Sequence, residues 1–192
     1  MRIVDVSRVI QGRMPLVRFQ THPRTSFTRV EAPAFIFRTG RTIGQILVES
    51  FVSSAVLLDV SSKEMGEIDD EDLEGAEEAA GLSVREGELV LLHTSWEERS
   101  TKRKTPFPGL SRNAIEYLLI KRIAGVAVDC PSIDAAGSMH SHKALLRNEM
   151  LVIEDVCNLG EIDRSRFRLL VLPFRLKAAV SPVRVVALLD EF

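Results

Sequence analysis

The stretch Thr25-Ser26-Phe27-Thr28-Arg29-Val30-Glu31-Ala32-Pro33-Ala34-Phe35 sets an aromatic ring, a permanent cation and a carboxylate at alternate positions of one short segment. Residues two apart in an extended strand share a face. Thr25, Phe27, Arg29 and Glu31 therefore form one row. A carboxylate taken into a protein interior needs a partner, and a guanidinium supplies one through forked hydrogen bonds. The row predicts a strand whose chemistry lies along a single face.

Outward from this stretch, short apolar runs rich in Leu and β-branched residues recur at Ile3–Val6, Val56–Val60, Leu89–Leu92, Gly125–Val128, Leu151–Ile153, Leu169–Leu172 and Val183–Leu189. Their length and periodicity predict strands of a mainly buried sheet. Helical patterns lie between them. One runs from Thr42 to about Phe51, one from Asp70 to Ala80 with acids in its first turn and Gly81 as its stop, and one from Ser111 to Arg122. Ser111 is the expected N-cap of the last, with Ile115, Leu118 and Leu119 on its apolar face. The expectation is an α/β fold in one domain over residues 1–192, without internal repeat, low-complexity tract or linker.

A chain of 192 residues is long enough to bury a core without covalent staples. Its formal net charge of −2 provides no global field for nucleic acid or an anionic membrane. Two cysteines, Cys130 and Cys157, are too few for a disulfide framework and suit a reducing compartment. There is no run of eighteen apolar residues and no hydrophobic signal core at the amino terminus. A cytoplasmic protein with neither nucleic-acid nor membrane partners is expected. The acidic stretch Glu67 to Glu78 reads as a solvated helix face. The basic stretch Arg99 to Lys104 reads as a solvated loop, with an anion-binding lid as the alternative.

The opening stretch resembles, in outline, the signature H-x-G-T-H-x-D-x-P-x-H of the cyclase family of metal-dependent hydrolases, which includes bacterial kynurenine formamidases. Thr28 and Pro33 match its Thr and Pro. Thr25, Arg29 and Phe35 stand at its histidines, Phe27 at its glycine and Glu31 at its aspartate. Further segments follow in family order: Ile3-Val4-Asp5-Val6-Ser7 with Met14-Pro15, Thr39 to Ile43, Val56 to Val60, Leu89 to Trp96, Pro108 to Ser111, and Gly125 to Asp134. His142 to Leu146, with Glu154 in Val152-Ile153-Glu154-Asp155, is similar to the second metal-binding block.

The resemblance implies a swivelling β/β/α domain, a mixed sheet partly closed on itself with helices packed outside. It also implies a zinc or manganese site, a metal-bound water attacking an amide or ester carbonyl, a proton-carrying final histidine, and assembly as dimers or tetramers. Carried onto this chain, the pocket positions are Thr25, Phe27, Arg29, Phe35 and Trp96. The remaining ligand set is Glu31, His142 and Glu154, able to hold a divalent ion weakly or none at all. Arg29 is expected within reach of Glu31 and Glu154, taking over the electrostatic task of a metal. The apolar run Val183 to Leu189 and Phe192 are candidates for a subunit contact.

Two readings follow. The loss of three histidines and the glycine favours a degenerate relative that keeps the fold, binds a small molecule and has impaired or lost metal catalysis. The alternative is an active hydrolase of the N-formylkynurenine formamidase type working with the reduced set. His22, before Pro23, reads as a solvent-facing histidine in a turn, with a substitute metal ligand as the alternative; His93 reads as a packed or rim histidine, and on a helix His140 points away from His142. Cys130 and Cys157 read as buried thiols. No Gly-rich phosphate loop, G-x-S-x-G elbow or C-x-x-C pair is present.

Overall fold

The computed structural model describes residues 2–9, 27–63, 65–100, 106–135 and 137–189. Ten strands are present among them: β1 (Ile3–Asp5), β2 (Arg29–Glu31), β3 (Val52–Asp59), β4 (Glu67–Ile68), β5 (Leu89–His93), β6 (Gly109–Leu110), β7 (Gly125–Val128), β8 (Leu151–Glu154), β9 (Arg166–Pro173) and β10 (Val180–Leu188). Four α-helices accompany them: α1 (Asp70–Ala79), α2 (Trp96–Arg99), α3 (Arg112–Ile120) and α4 (His140–Arg147). Seven strands close into a ring in the order β10-β2-β8-β7-β5-β3-β9, with β9 pairing back to β10 and β1 added along β10. The run β3-β5-β7-β8 is parallel, and β2, β9 and β10 complete the ring with antiparallel pairings. β4 and β6 form a separate two-residue parallel pair.

Strand alternation divides the interior into two cores. Leu89 and Leu91 of β5, Ala127 of β7, Leu151 and Ile153 of β8 and Val30 of β2 fill the ring. Val90 and Leu92, Val126 and Val128, and Val152 point the other way, beneath the helices. Because both faces of the parallel strands are covered, their sequences read as continuous apolar runs. α1 and α3 begin where their caps predict. Asp69 and Asp72 form a reciprocal capping box, and the Ser111 hydroxyl accepts the Ala114 N–H at 3.1 Å.

Two expectations are corrected. Thr42 to Phe51 is not an α-helix; it forms two 3-10 turns, Ile43–Gln45 and Val48–Phe51. The Ile43 and Gly44 amides donate to Ala178 and Leu176 carbonyls, and Gln45 folds back onto Thr42, so long-range pairing overrides the helical pattern. The run Val183 to Leu189 is largely core, since Val183, Val185, Ala187 and Leu189 face the ring interior; Phe192 lies outside the described residues.

A Cβ at Gly125 would sit 2.3 Å from the Leu151 carbonyl oxygen on the adjoining strand, whereas one at Gly75 in α1 would meet nothing within 4 Å. Gly125→Ala is therefore expected to lose about 2–3 kcal/mol in urea unfolding through backbone overpacking. Gly75→Ala is expected to gain about 0.5–1 kcal/mol from helix propensity. Equal stabilities for Gly125→Ala and the parent would contradict the close strand approach.

Candidate metal centre

Arg29 and Glu31 flank Val30, whose side chain enters the ring. Alternation sends the two charged side chains outward, into the layer beneath the helices. The register sets Arg29 opposite Glu154 and Glu31 opposite Val152. The two matched letters of the motif have visible tasks. The Thr28 hydroxyl donates to the Asp155 carbonyl at 2.6 Å and accepts the Arg8 amide at 2.7 Å, tying the start of β2 to the end of β8. Pro33 opens a 3-10 turn, for which its fixed φ is suited, and the turn carries Phe35 back to within 5.7 Å of the His142 ring.

α4 delivers His142 from the opposite side, on a buried face shared with Ser141, Leu145 and Leu146. Its N-cap residue, Met139, makes no side-chain cap; the Asp134 carboxylate substitutes, accepting the Ser141 and His142 amides at 2.9 and 3.2 Å. The same carboxylate lies 2.6 Å from His142 Nδ1, which fixes the ring orientation and turns Nε2 toward β2 and β8.

The Arg29 guanidinium lies at the centre of the layer. Nε donates to Glu31 Oε1 at 3.2 Å, Nη1 to Asp155 Oδ2 at 3.0 Å, and Nη2 to the Pro131 carbonyl at 2.8 Å and to Glu154 Oε2. The expected pairing with both Glu31 and Glu154 is present. The other carboxylate oxygens face His142: Nε2 is 3.2 Å from Glu31 Oε2 and 3.1 Å from Glu154 Oε1. Glu154 Oε1 also accepts the Ile133 amide at 2.8 Å. Glu31 Oε2 is shut off from solvent and accepts no aligned hydrogen bond among the described residues.

This arrangement fits a divalent ion. Glu31, His142 and Glu154 each offer one ligand atom, all within 4.8 Å of one another, and two carboxylates with an imidazole suit zinc or manganese. An imidazole oriented by a carboxylate at its other nitrogen is a common support for a metal ligand. Charge balance points the same way. Four carboxylates, Glu31, Asp134, Glu154 and Asp155, meet one guanidinium and one imidazole, with Arg8 a further cation 3.8 Å from Asp155. A divalent ion beside a neutral His142 would balance them.

Protons fill the same need. Burial and the Glu154 charge raise the Glu31 pKa against the pull of His142 and Arg29. Burial pushes Asp155 up to about 6 despite the Arg29 and Arg8 charges. Burial alone would depress His142, yet its contacts with Asp134, Glu154 and Glu31 lift it to about 12. For Glu154 and Asp134 the cost of burial is outweighed, by Arg29 and His142 in the first and by His142 and the α4 amides in the second, so both stay below the usual carboxylate range.

Of the positions singled out in the sequence, Arg29, Glu31, His142 and Glu154 converge, with Phe35 beside the imidazole. Phe27 is buried; Thr25 and His22 lie outside the described residues, as do Thr101 to Lys104. Trp96 packs edge-on against Phe107 at 6.0 Å and donates to the Pro106 carbonyl. Asp134 and Asp155 were passed over in the sequence. Asp155 follows Glu154 directly, and neighbours in a regular strand face opposite ways; its left-handed φ of 58° breaks the alternation and lets both carboxylates meet Arg29. His140 also reaches Asp134, at 3.3 Å. Ser95 and Glu98 both approach His93 at Nε2, so they do not form a nucleophile–base–acid relay, which needs both ring nitrogens. Cys130 is buried and its thiol pushed well up by burial.

A family model described as "Putative cyclase" matches residues 4–135. A kynurenine formamidase of Erythrobacter litoralis is 26% identical over 177 residues, covering 91% of this chain and 74% of that protein. An isatin hydrolase of Roseibium aggregatum is 29% identical over 136 residues, covering 62% of this chain and 52% of its own length. Among solved structures, a potential metal-dependent hydrolase with cyclase activity superposes with a TM-score of 0.81 at 22% identity, covering 100% of this chain and 99% of that one. An isatin hydrolase A of Labrenzia aggregata gives 0.79 at 21%, covering 99% and 94%. At these identities the superpositions establish the fold.

Arg29→Ala is expected to lose about 3–5 kcal/mol in urea unfolding with chelator present, because it leaves buried carboxylates uncompensated. Arg29→Lys should recover only part of this, since an ammonium lacks the planar fork that serves several oxygens together. A loss below about 1 kcal/mol, as at an exposed arginine, would contradict the buried network.

Proposed function

We propose, on the premise that this chain belongs to the cyclase family, that it is a member with impaired or lost hydrolytic metal chemistry that binds a small molecule. In this reading Glu31, His142 and Glu154 are a reduced ligand set for one divalent ion. The carrying observation is Arg29. The position at which the family motif has a histidine holds a guanidinium whose donors are turned to Glu31, Glu154, Asp155 and the Pro131 carbonyl. Zinc or manganese, when bound, supplies an acidified water and polarises a carbonyl. The residues of this chain contribute less. Phe35 stands where the motif's proton carrier would be and has no atom to take a proton. Phe27 puts a buried ring where the motif has glycine. Arg29, Glu31, His142 and Glu154 are each at most 3% exposed, which leaves little access for a substrate carbonyl.

The second reading, an active hydrolase, is favoured by the convergence of the three donors and by Glu31 Oε2, which faces His142 without an aligned hydrogen bond among the described residues. The names of the relatives supply its test substrates, N-formylkynurenine and isatin. With zinc or manganese added, turnover of both is expected to be far below about one per second, the lower end of ordinary enzyme rates. Titration calorimetry with either metal is expected to give one ion per chain, abolished in Glu154→Ala. Turnover at or above that rate, lost on chelation and in His142→Ala, would establish the second reading in place of the first. Absence of binding heat at millimolar metal would remove the ligand set.

A further inference from the structure

Between Ala32 and Ile43 the chain leaves the sheet and returns to the same place. The Ala32 amide donates to the Ala179 carbonyl at 2.8 Å and the Ile43 amide to the Ala178 carbonyl at 2.9 Å, so both ends are fastened to consecutive residues just ahead of β10. Inside the excursion the Ala34 amide donates to Arg41 at 3.0 Å and the Gly40 amide to Phe37 at 2.7 Å. Among the described residues, every backbone hydrogen bond of Pro33 to Arg41 stays within residues 32–41. Gly40 closes the neck, since a Cβ there would stand 2.6 Å from the Pro33 carbonyl carbon. Residues 33–42 thus form a compact Ω-loop with adjoining ends, and no backbone ladder binds it to its surroundings.

Side chains hold the loop down. On its inner side the half-buried Phe35, Ile36 and Phe37 pack against the core beneath the helices, with the Phe35 ring beside His142. On its return limb the Arg41 guanidinium grips the Glu149 carboxylate with two donors, Nε at 2.9 Å from Oε1 and Nη2 on Oε2. The Arg147 guanidinium lies 5.6 Å from the Phe37 ring centroid. Arg147 ends α4, the helix that carries His142, and Glu149 follows it directly. The Arg41–Glu149 pair is about half exposed, at 41% and 56%, and such a pair is weak and screened by salt. Elements held by few buried contacts open locally, well below the cost of global unfolding. Glu31, His142 and Glu154 are each at most 2% exposed, so anything arriving from solution reaches them only when a covering element moves.

We propose that residues 33–42 are a lid over the buried charged layer, opening as a unit about its paired ends at Ala32 and Ile43 and held shut by the Arg41–Glu149 latch. Opening lifts Phe35 from His142 and clears a route to the donors from the α4 side. The lid's task as a gate for a divalent ion rests on the ligand set proposed above, whereas its motion does not. Arg41 and Glu149 are not among the candidate ligands, so the latch has no differential affinity for the ion to offer. It sets the rates of entry and exit together and leaves the affinity alone.

Two measurements on the full chain test this. NMR relaxation dispersion on the metal-free protein is expected to show exchange at the amides of residues 34–42 and not at those of the core strands, with the open population raised about two- to fivefold by Glu149→Gln, the range that an exposed ion pair supplies. Stopped-flow uptake of zinc, and its release to a chelator, should both quicken by about that factor in Glu149→Gln and in Arg41→Glu, with unchanged affinity, and return to the parent rates when Arg41→Glu is combined with Glu149→Arg. Joining Arg41→Cys to Glu149→Cys with a short bis-maleimide should quench the dispersion and slow both rates; Cys130 and Cys157 are buried and take no part. Flat dispersion over residues 34–42 in both parent and Glu149→Gln, or zinc rates indifferent to the latch variants and to the bridge, would overturn the lid. Zinc bound by no variant, with the loop exchange present and enlarged in Glu149→Gln, would remove the ligand set and leave the lid standing.

Discussion

Carboxylates removed from water must be matched by positive charge, and the layer between the sheet and α4 is organised around that requirement. Glu31, Glu154, Asp155 and Asp134 lie within one region, each almost fully buried. Left unpaired, each would cost several kcal/mol. Arg29 answers three of them with one planar group and donates a further hydrogen bond to Pro131. His142 joins the fourth to the rest. The network also holds backbone: it locks β2 to the end of β8 and, through Asp134, supplies α4 with the N-terminal cap its own sequence lacks. A three-residue strand such as β2 has few ladder hydrogen bonds of its own, so side-chain electrostatics carry more of its placement than is usual in a sheet.

The same alternation that separates two apolar cores creates the site. Val30 and Ile153 face the ring while Arg29, Glu31 and Glu154 face the helices. A one-residue slip of β2 would turn the guanidinium into an apolar interior and the valine toward the carboxylates, so the core and the charged layer specify one register between them. Closing the ring through β9 and β10 removes free edges from most of the sheet, which suits strands this apolar.

Much of this was legible in the sequence because it depends on period and spacing. The apolar runs became strands, Ser111 became a cap, and the row of Arg29 and Glu31 faced one way. The family resemblance brought His142 and Glu154 to the same place, which periodicity alone does not do for residues more than a hundred positions from β2. What was not legible depended on tertiary pairing or on single backbone angles. Thr42 to Phe51 has a helical pattern but loses it to hydrogen bonds from the β9–β10 turn. Asp155 looks like the outward neighbour of Glu154 until its left-handed conformation is known. Asp134 gave no sign of its triple role, as helix cap, orienter of His142 and member of the charge balance, because an aspartate in a loop is ordinarily solvated.

Arg29 was expected in place of a metal, and the geometry gives that substitution a particular form. The guanidinium takes Oε1 of Glu31 and Oε2 of Glu154, while Oε2 of Glu31 and Oε1 of Glu154 face His142 Nε2. The two carboxylates are thus divided between a permanent cation on one side and an exchangeable positive charge, proton or metal ion, on the other. Arg29 need not compete with an ion at Nε2; by holding the far oxygens it turns the near ones toward that position. A guanidinium, always charged, does not itself release a proton at ordinary pH or ligate a metal ion, so its task in the layer is electrostatic. An arginine here supplies the buried carboxylates with a fixed positive charge that depends on neither pH nor a bound ion, so the layer keeps part of its charge balance through the chain itself.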